Sequence, residues 1–390
     1  MRRQPRTRQA RGRSRVGERF TVEVGPVGHG GFCVARVAEE GDRVVFVRHA
    51  LPGERVVVSI TEGTEGDRFW RGDAIEVLAP SPDRVAAPCP VAEPGGCGGC
   101  DFQHATVAAQ RRLKAAVVSE QLARLARVDL AVEVEQVPGD EDGLRWRSRV
   151  RYARTPDGRR GMRRFRSHDV VPVDDCLIAS RDAREPSDEV VEHHVEAAGA
   201  AHDFSVSGDG FWQVHPGAPT TLVEAVLEML APRAGERVVD LYAGVGLFSA
   251  FLADRVGPTG SVVAVEGDPV AAHHAEQNLQ AHAGASVVAA PVVAALAELA
   301  ELEEMEGRID AVVLDPPRQG ARREVVEPIV ALAPRAVVYV ACDPAALARD
   351  VALFAEGGYR LSALRAFDLF PMTHHVECVA LLEKTGSDLR

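Results

Sequence analysis

Five valine-rich segments in the second half of the chain, each followed by a stretch with helical spacing, constrain the fold more than any other feature. They are residues 236–242, 261–266, 285–290, 309–315 and 336–341. Strands that alternate with helices build a mainly parallel sheet with helices on both faces. Two more apolar segments, 359–370 and 376–383, close the chain without a full helix between them. The pattern predicts an α/β domain over residues 206–390 that ends in a strand pair.

The first half of the chain is organised differently. Short valine-rich stretches separated by glycines run from residue 20 to 80 and predict a small five-stranded, OB-like β-barrel. Residues 81–205 contain a proline-rich hinge, an amphipathic segment at 104–128 that predicts one helix, and alternating charged and strand-like stretches. They predict an α+β central domain, and residues 1–19 predict a disordered basic tail.

Charge is distributed unevenly along the chain. The net charge is −12, from 45 basic and 57 acidic residues, which alone argues against a nucleic-acid partner. However, residues 1–19 hold eight arginines and residues 145–166 hold ten. Basic blocks in an otherwise acidic protein predict a local site for a polyanion such as RNA. No apolar run reaches the roughly 18 residues of a membrane span, and the start lacks an apolar secretory segment, so we expect a cytoplasmic protein.

The first motif with chemical content is DLYAGVGLFSA, residues 240–250. Gly244 and Gly246 form a turn between a strand and a helix, where a ligand can approach the backbone beside a helix N-terminus. Tyr242 stands at the strand end, and Glu266 ends the next strand, where a carboxylate can bind ribose hydroxyls. With five alternating strands and a terminal pair, this layout resembles class I S-adenosylmethionine-dependent methyltransferases and predicts a site for that cofactor.

Three further side chains are expected at the same edge of the sheet. Asp315 ends the fourth strand in LDPPRQG, Cys342 ends the fifth in VYVACDPAALARD, and Glu377 precedes the last strand. We expect the helix that follows Cys342 to stabilise its thiolate. A thiolate, a carboxylate and a sulfonium methyl donor suit methylation of a pyrimidine at C5, because addition of Cys342 to C6 makes C5 nucleophilic. Glu377 would then remove the C5 proton.

At this point the sequence resembles the RNA uracil-C5 methyltransferase family, in the strings FWQVHP, DLYAGVGLFS, LDPPRQG, YVACDPAALARD and LFPMTHHVE. The resemblance implies that Cys342 is the nucleophile and Glu377 the proton acceptor. It implies a cofactor site formed by Gln213, Tyr242, Glu266 and Asp315, with Asp315 also close to the uracil. It further implies that the N-terminal barrel is a TRAM domain. Leu247 and Ala290–Pro291 depart from the family's usual residues.

A cluster of cysteines predicts a metal site. Cys89, Cys97 and Cys100 lie within twelve glycine-rich residues, and Cys176 is the plausible fourth ligand. Tetrahedral zinc would use the same four sulfurs, so the spacing leaves the metal open. Because some members of the resembled family hold a [4Fe-4S] cluster with this arrangement, the resemblance implies the cluster rather than zinc.

The sequence therefore predicts an enzyme that methylates a uridine in structured RNA, with 23S rRNA favoured over tRNA and no obligate protein partner. Two alternatives remain. A cytosine-C5 methyltransferase is disfavoured, because such enzymes place a second cysteine after the fourth strand, where this chain has Pro316-Pro317-Arg318. A catalytically inactive RNA-binding module is disfavoured by the presence of Cys342, Glu377 and Asp315.

Overall fold

Five strands in the first part of the described chain close into a barrel. The computed structural model describes residues 12–139, 142–306 and 308–386, with no account of the side chains of residues 302–306. The barrel strands are β1 Arg19–Gly28, β2 Phe32–Val37, β3 Arg43–Arg48, β4 Arg55–Glu62 and β5 Phe69–Ala79, with a 3₁₀ turn at Ala38–Glu40. Around the barrel they follow the order β1-β2-β3-β5-β4. Alternate side chains fill the interior, as the pleat of a half-buried strand requires. The predicted five-stranded barrel is confirmed.

The predicted basic tail falls partly outside the described residues, since residues 1–11 are not among them. The remainder, from Gly12 to Glu18, packs on the barrel. Ser14 forms a bridge with Thr64, and the Arg15 guanidinium lies 5.1 Å from the ring centroid of Trp70. Arg15 is only 6% exposed, because its aliphatic stem and planar head cover this aromatic surface.

The middle of the chain contains one helix and several short strands. Helix α1 spans Val107–Gln121 and continues as a π-helical turn at Leu122–Ala126, within the predicted helical segment. The strands are β6 Val134–Glu135, β7 Arg147–Arg149, β8 Ala153–Arg154, β9 Arg160–Arg163, β10 Val170–Pro172, β11 Ala179–Arg184, β12 Val190–Ala197 and β13 Ala200–Ser207. Strands β8 to β10 form a small sheet, β7 pairs with β11, and β12 and β13 form a hairpin.

The second half of the chain alternates helices and strands as predicted. The helices are α2 Ala218–Leu230, α3 Leu247–Val256, α4 Pro269–Asn278, α5 Val292–Glu306, α6 Arg323–Leu332 and α7 Pro344–Glu356. The strands are β14 Arg237–Leu241, β15 Ser261–Glu266, β16 Ala285–Ala289, β17 Ala311–Leu314, β18 Ala336–Ala341, β19 Tyr359–Phe367 and β20 Glu377–Lys384.

These strands form one eight-stranded sheet in the order β16-β15-β14-β17-β18-β20-β19-β6. Strands β14 to β18 are parallel, and β20 is antiparallel to both of its neighbours. Each face of the sheet has its own apolar cluster, which explains why the central strands β17 and β18 are apolar along their whole length. The strand order reverses at β14 and β17, the place where ligands bind in open α/β sheets.

Contacts between Cα atoms divide the described chain into two units. The first comprises residues up to Leu113, Tyr152–Leu177 and Met372–His374, and contains the barrel. The second comprises Lys114–Arg151, Ile178–Pro371 and the residues from His375 onward, and contains the large sheet. The domain limits drawn from the sequence stay a prediction. In the described part of the chain, no helix combines the length and apolarity needed to cross a membrane.

A buried ion pair in the second unit gives a stability prediction. The Lys114 ammonium donates to the Asp368 carboxylate and to the carbonyl oxygen of Phe370, and both charged side chains are fully buried. Because Lys114→Met leaves a buried carboxylate without its cation, we expect the free energy of unfolding to fall by about 3–5 kcal/mol. Urea-induced unfolding followed by circular dichroism measures it. The double variant Lys114→Met/Asp368→Leu should regain most of the loss, and equal losses in both variants would contradict this account.

Candidate active site

The candidate residues form a row along the carboxyl edge of the large sheet, and the strand registers set their order. Leu241 of β14 pairs with Val265 of β15 and with Leu314 of β17. One residue further along each strand, Tyr242 therefore stands between Glu266 and Asp315. Ala341 of β18 pairs with Cys378 of the antiparallel β20, so the next pair in the ladder is Cys342 opposite Glu377. Directly opposed residues in an antiparallel pair have Cβ atoms about 5 Å apart.

The glycine turn after β14 is held against Glu266. The backbone N–H of Gly244 donates to Oε2 of Glu266 at 2.8 Å, and the N–H of Asp268 donates to Oε1 at 2.7 Å. Each oxygen keeps a lone pair that can accept a hydroxyl proton from a ribose. Gly244 and Gly246 have positive φ angles of 57° and 89°, which glycine adopts without steric cost. Helix α3 begins at Leu247, and the Asp268 side chain caps α4 by accepting the N–H groups of Val270 and Ala271.

Gln213 reaches the same site from the loop after the β12–β13 hairpin. The N–H and hydroxyl of Ser148, on β7, both donate to the carbonyl oxygen of Val214, at 2.8 and 2.9 Å. The neighbouring Trp212 ring stacks on His193, with ring centroids 4.4 Å apart. These contacts hold the FWQVHP loop beside the sheet edge, although it is distant in sequence from the strands of the sheet.

These elements enclose a cavity of about 690 Å³. Its lining includes every predicted catalytic and cofactor residue except Gly246: Gln213, Tyr242, Gly244, Glu266, Asp315, Cys342 and Glu377. Gly246 instead immediately precedes α3 and packs on Leu279, where an added Cβ would come within 3.3 Å of the leucine side chain. A cavity of this size, with a glycine turn and a doubly anchored carboxylate at one end, suits a nucleoside-containing cofactor such as S-adenosylmethionine.

The loop after Asp315 is held by a buried hydrogen-bond network. The Asp350 carboxylate of α7 accepts hydrogen bonds from the Ala321 N–H and from the Tyr339 hydroxyl, each at 2.7 Å. Asp315 itself is half-buried in the cavity wall, and desolvation together with the nearby Asp240 carboxylate raises its pKa to about 7. With a pKa of about 7, the Asp315 carboxyl group can gain or lose a proton near neutral pH.

Cys342 and Glu377 lie in surroundings that favour their neutral forms. Burial, followed by the Glu377 and Asp315 charges, raises the pKa of the Cys342 thiol to about 12. Burial and Asp315 also raise the pKa of Glu377 well above its usual range. The expectation that the following helix stabilises a thiolate is wrong for the free protein. Desolvation and nearby carboxylates outweigh the helix N-terminus, which Asp343 caps by accepting the Ala346 N–H.

Sequence reasoning missed two residues of the cavity, the cationic Arg318 and the polar His375. The Arg318 guanidinium lies 3.3 Å from Nε2 of His375, and its positive charge lowers the pKa values of both Cys342 and Glu377. The signal was present, since Arg318 belongs to LDPPRQG and His375 to LFPMTHHVE. Arg318 is therefore the group that partly offsets the carboxylates around the thiol.

The raised pKa of Cys342 gives a testable pH dependence. The thiolate fraction of a group with a pKa of about 12 grows about tenfold per pH unit below that value. We expect carbamidomethylation of Cys342 by iodoacetamide to accelerate by this factor from pH 7 to pH 10 without levelling off. Mass spectrometry of the peptide that contains Cys342 measures the rate. In Arg318→Gln the rate at each pH should be lower, and a plateau by pH 9 would contradict the raised pKa.

The four predicted metal-binding cysteines come together in the first unit. The Gln103 side chain links two of them, since its Oε1 accepts the Cys89 N–H at 3.1 Å and its Nε2 donates to the Cys100 sulfur at 3.3 Å. Cys97 lies in a turn, and its backbone N–H donates to the carbonyl oxygen of Val91. After burial, the Cys176 charge contributes to the raised pKa values of Cys97 and Cys100, which places Cys176 beside them.

Family comparisons cover both halves of the chain. The family described as tRNA (Uracil-5-)-methyltransferase matches residues 180–385, and the TRAM domain matches residues 13–75. A solved structure with the same fold is the tRNA (uracil-54, C5)-methyltransferase of Pyrococcus abyssi in complex with S-adenosyl-L-homocysteine. It covers 93% of this chain and 99% of its own, with a TM-score of 0.66 and 21% identity.

Similar curated proteins are RNA methyltransferases. An uncharacterized RNA methyltransferase of Streptomyces avermitilis is 44% identical, over 96% of this chain and 100% of that protein. The 23S rRNA (uracil(1939)-C(5))-methyltransferase RlmD of Shewanella sp. (strain ANA-3) is 30% identical, over 90% of this chain and 93% of its own. Both alignments extend well beyond the sheet, and the family match includes all the candidate residues along the carboxyl edge of the sheet, from Tyr242 to Glu377. The chain therefore belongs to the RNA uracil-C5 methyltransferase family, whose members are S-adenosylmethionine-dependent enzymes with the class I fold.

Proposed function

We propose that this enzyme methylates C5 of one uridine in 23S rRNA through a covalent adduct between Cys342 and C6 of the base. The observation that carries the proposal is the β18–β20 register, which opposes Cys342 and Glu377 on the wall of a cavity that also contains Glu266 and the glycine turn. The proposed nucleophile, proton acceptor and cofactor position then line one cavity. A location in the cytoplasm is part of the same proposal.

The proposed steps follow from these residues. The Cys342 thiol loses its proton and its sulfur bonds to C6, which moves the C5–C6 π electrons into an enolate. Bound S-adenosylmethionine supplies an electrophilic methyl group to C5. The Glu377 carboxylate then takes the C5 proton, the C5–C6 double bond re-forms, and the bond between sulfur and C6 breaks. The uridine must leave its stack to enter the cavity, as in other enzymes that act on bases.

The protonation states of the free site are consistent with these reaction steps. The Cys342 thiol is neutral at neutral pH in the free protein, because its pKa is about 12, and the raised pKa of Glu377 favours the protonated carboxyl form. A cation in the cavity would lower the pKa values of the neighbouring carboxyls. The bound methyl donor would thus favour the carboxylate form of Glu377, which is the form able to act as a base. Asp315, with a pKa of about 7, is the group suited to accept the thiol proton.

The cofactor site is proposed to comprise Gln213, Tyr242, Gly244, Glu266 and Asp315, which line the cavity, together with Gly246 at the start of α3. The fit rests on the Glu266 carboxylate, whose two backbone hydrogen bonds hold its remaining lone pairs toward the cavity. Val245 and Ala271 add an apolar surface that an adenine ring can cover. Leu247, the first residue of α3, is buried in an apolar cluster and is not part of the cavity lining. This departure from the family therefore does not remove a polar contact.

The choice of 23S rRNA is supported by relatives named for that substrate and by the cysteine set. Proteins of two Shewanella strains, at 30% and 31% identity, are named 23S rRNA (uracil(1939)-C(5))-methyltransferase RlmD. Basic surface for RNA phosphates is available in both units. In the second unit the Arg149 guanidinium has a lowered pKa, because of burial and then its neighbours Arg151 and Arg147. In the first unit the Arg160 guanidinium stacks 4.4 Å from the Tyr152 ring centroid.

The substrate test uses anaerobically purified protein, labelled S-adenosylmethionine, and unmodified 23S rRNA and tRNA in separate reactions. Nucleosides from each digested RNA are identified by mass spectrometry. We expect 5-methyluridine in 23S rRNA only. 5-Methyluridine in tRNA alone would overturn the substrate and keep the reaction, and 5-methylcytidine would support the cytosine alternative. No methylated nucleoside in either RNA would favour the inactive RNA-binding module.

We further propose that Cys89, Cys97, Cys100 and Cys176 hold a [4Fe-4S] cluster, with zinc as the less suitable occupant. Tetrahedral zinc with bonds of about 2.3 Å to sulfur brings its ligand sulfurs to about 3.8 Å from one another. Across the described residues, no three of these sulfurs come within 4.8 Å of one another. The wider spacing suits the larger core of a cluster. The bound group would order the turn at Cys97–Cys100, and the proposed methylation requires no redox step from it.

The cluster proposal predicts a loss that can be measured directly. Anaerobically purified protein should contain about four irons and four sulfides per chain and a broad sulfur-to-iron absorption band. In Cys176→Ala the iron content and the band should both fall sharply, because one of four ligands is missing. Cys33→Ala, which changes a thiol in the barrel core, should keep both. Stoichiometric zinc with no iron in anaerobic wild-type protein would reverse the assignment.

A further inference from the structure

Two histidines and an aspartate from separate elements of the second unit converge away from the cavity. Nε2 of His202 lies 2.8 Å from Oδ2 of Asp254, and Nδ1 of His282 lies 3.6 Å from Oδ1 of the same carboxylate. One nitrogen or oxygen atom from each side chain lies within 4.8 Å of the other two. We propose that His202, Asp254 and His282 bind one divalent transition-metal ion.

The arrangement is built by tertiary structure rather than by one exposed loop. His202 lies on β13, Asp254 on α3, and His282 in the turn that follows α4. The His202 ring is held edge-on against Phe251 at a centroid distance of 4.7 Å, and the rings of His202 and His282 are 5.1 Å apart. Packing therefore orients one imidazole before any ion binds, which reduces the entropy lost on coordination.

Hydrogen bonding by itself does not account for the position of His282. The distance of 3.6 Å between Nδ1 and the Asp254 carboxylate is too long for a hydrogen bond. A divalent cation between the three side chains would satisfy both imidazole nitrogens and the carboxylate at the same time.

The donor set selects the class of ion. Two imidazole nitrogens and one carboxylate oxygen suit Zn²⁺, Ni²⁺ and Co²⁺, whereas Mg²⁺ and Ca²⁺ prefer oxygen ligands alone. The side chains of His202, Asp254 and His282 are 19%, 34% and 14% exposed, so solvent reaches the site from one side. Three protein ligands and one water would complete a tetrahedral shell.

The position of the site assigns it a structural role. Asp254 lies seven residues along α3 from Leu247, where the helix leaves the glycine turn, and that separation is about 10 Å of helix axis. The ion would thus lie about two helical turns from the cofactor end of α3 and away from the reacting atoms. It would link β13, α3 and the end of α4, and α4 contributes Ala271 and His274 to the cavity wall.

The test titrates the anaerobically purified full-length protein with CoCl₂ and records the visible spectrum, because cobalt reports its ligands. We expect about one equivalent of Co²⁺ with visible d–d bands and without the near-ultraviolet charge-transfer band that cysteine ligands produce. His282→Ala and Asp254→Asn should weaken this binding by at least about tenfold. His273→Gln, on the exposed face of α4, is the matched control and should bind as wild type does.

Thermal unfolding provides a second measurement that does not depend on enzymatic activity. Co²⁺ or Zn²⁺ should raise the melting temperature of the wild-type protein and of His273→Gln, and should raise it less in Asp254→Asn. Since Asp254→Asn keeps the shape of the side chain, a failure to fold is not expected. Cobalt bound only with a sulfur charge-transfer band, or nitrogen–oxygen binding that persists in both His282→Ala and Asp254→Asn, would overturn the proposal. Neither result depends on the proposed substrate.

Discussion

Cys342→Ala is expected to abolish the formation of 5-methyluridine, with turnover at least about 10⁴-fold below that of the wild-type enzyme. Without the thiol no bond forms at C6, and C5 of uracil is too weak a nucleophile to take the methyl group. Binding of S-adenosylmethionine should change little, because the glycine turn follows β14, two strands away from β18, and Glu266 ends β15, one strand further. Single-turnover assays with labelled cofactor, together with a calorimetric titration of the cofactor, measure both quantities.

The matched control for this variant is Cys378→Ala. Cys378 is also a thiol at this end of the sheet, but its side chain is buried in the apolar cluster rather than in the cavity. That variant should lose some stability, as large-to-small core changes do, and retain most of its activity. Turnover by Cys342→Ala within about tenfold of the wild-type rate would contradict the covalent mechanism.

Glu377→Gln is expected to trap a covalent complex between the protein and RNA. The thiol can still add to C6 and the methyl group can still transfer, but glutamine cannot accept the C5 proton. Elimination is then blocked, and multiple turnover should fall by about 10²–10⁴-fold. The complex is measured as labelled RNA that stays with the protein on a denaturing gel.

Two further variants make this result specific. The double variant Glu377→Gln/Cys342→Ala should form no adduct, because the bond to sulfur cannot form. Glu383→Gln lies on the same strand but pairs with Arg360 outside the cavity, so it should turn over normally. Free turnover by Glu377→Gln without any trapped complex would remove Glu377 from the role of base and leave Asp315 as the nearest carboxyl.

Local patterns in the sequence predicted most of the framework. The valine-rich strands at 261–266 and 336–341 depend on neighbouring residues alone, and both are confirmed. The barrel follows from the same kind of pattern, because alternating burial is a property of each strand. The placement of Cys342 at the end of β18 also needs only the length of one apolar run.

Other features depend on contacts between distant segments. Arg318 and His375 are 57 residues apart and meet because the strand order β17-β18-β20 brings the loop after β17 close to the segment before β20. Gln213 was assigned through family resemblance, since no local pattern places its loop at the sheet edge. The pKa of Cys342 was misjudged because a helix N-terminus is visible in sequence, whereas burial beside Glu377 and Asp315 is not.

The sequence by itself predicted the five parallel strands, the residues that emerge at their carboxyl ends, and which of those residues would carry catalytic chemistry. Hydrophobic periodicity and turn residues are local properties, so one sequence is enough to read them. Only the tertiary structure decided that β20 enters the sheet antiparallel to β18, which opposes Cys342 and Glu377. It likewise brought His202, Asp254 and His282 together from three elements. Strand order and register are set by packing over the whole sheet, and no segment encodes that packing alone.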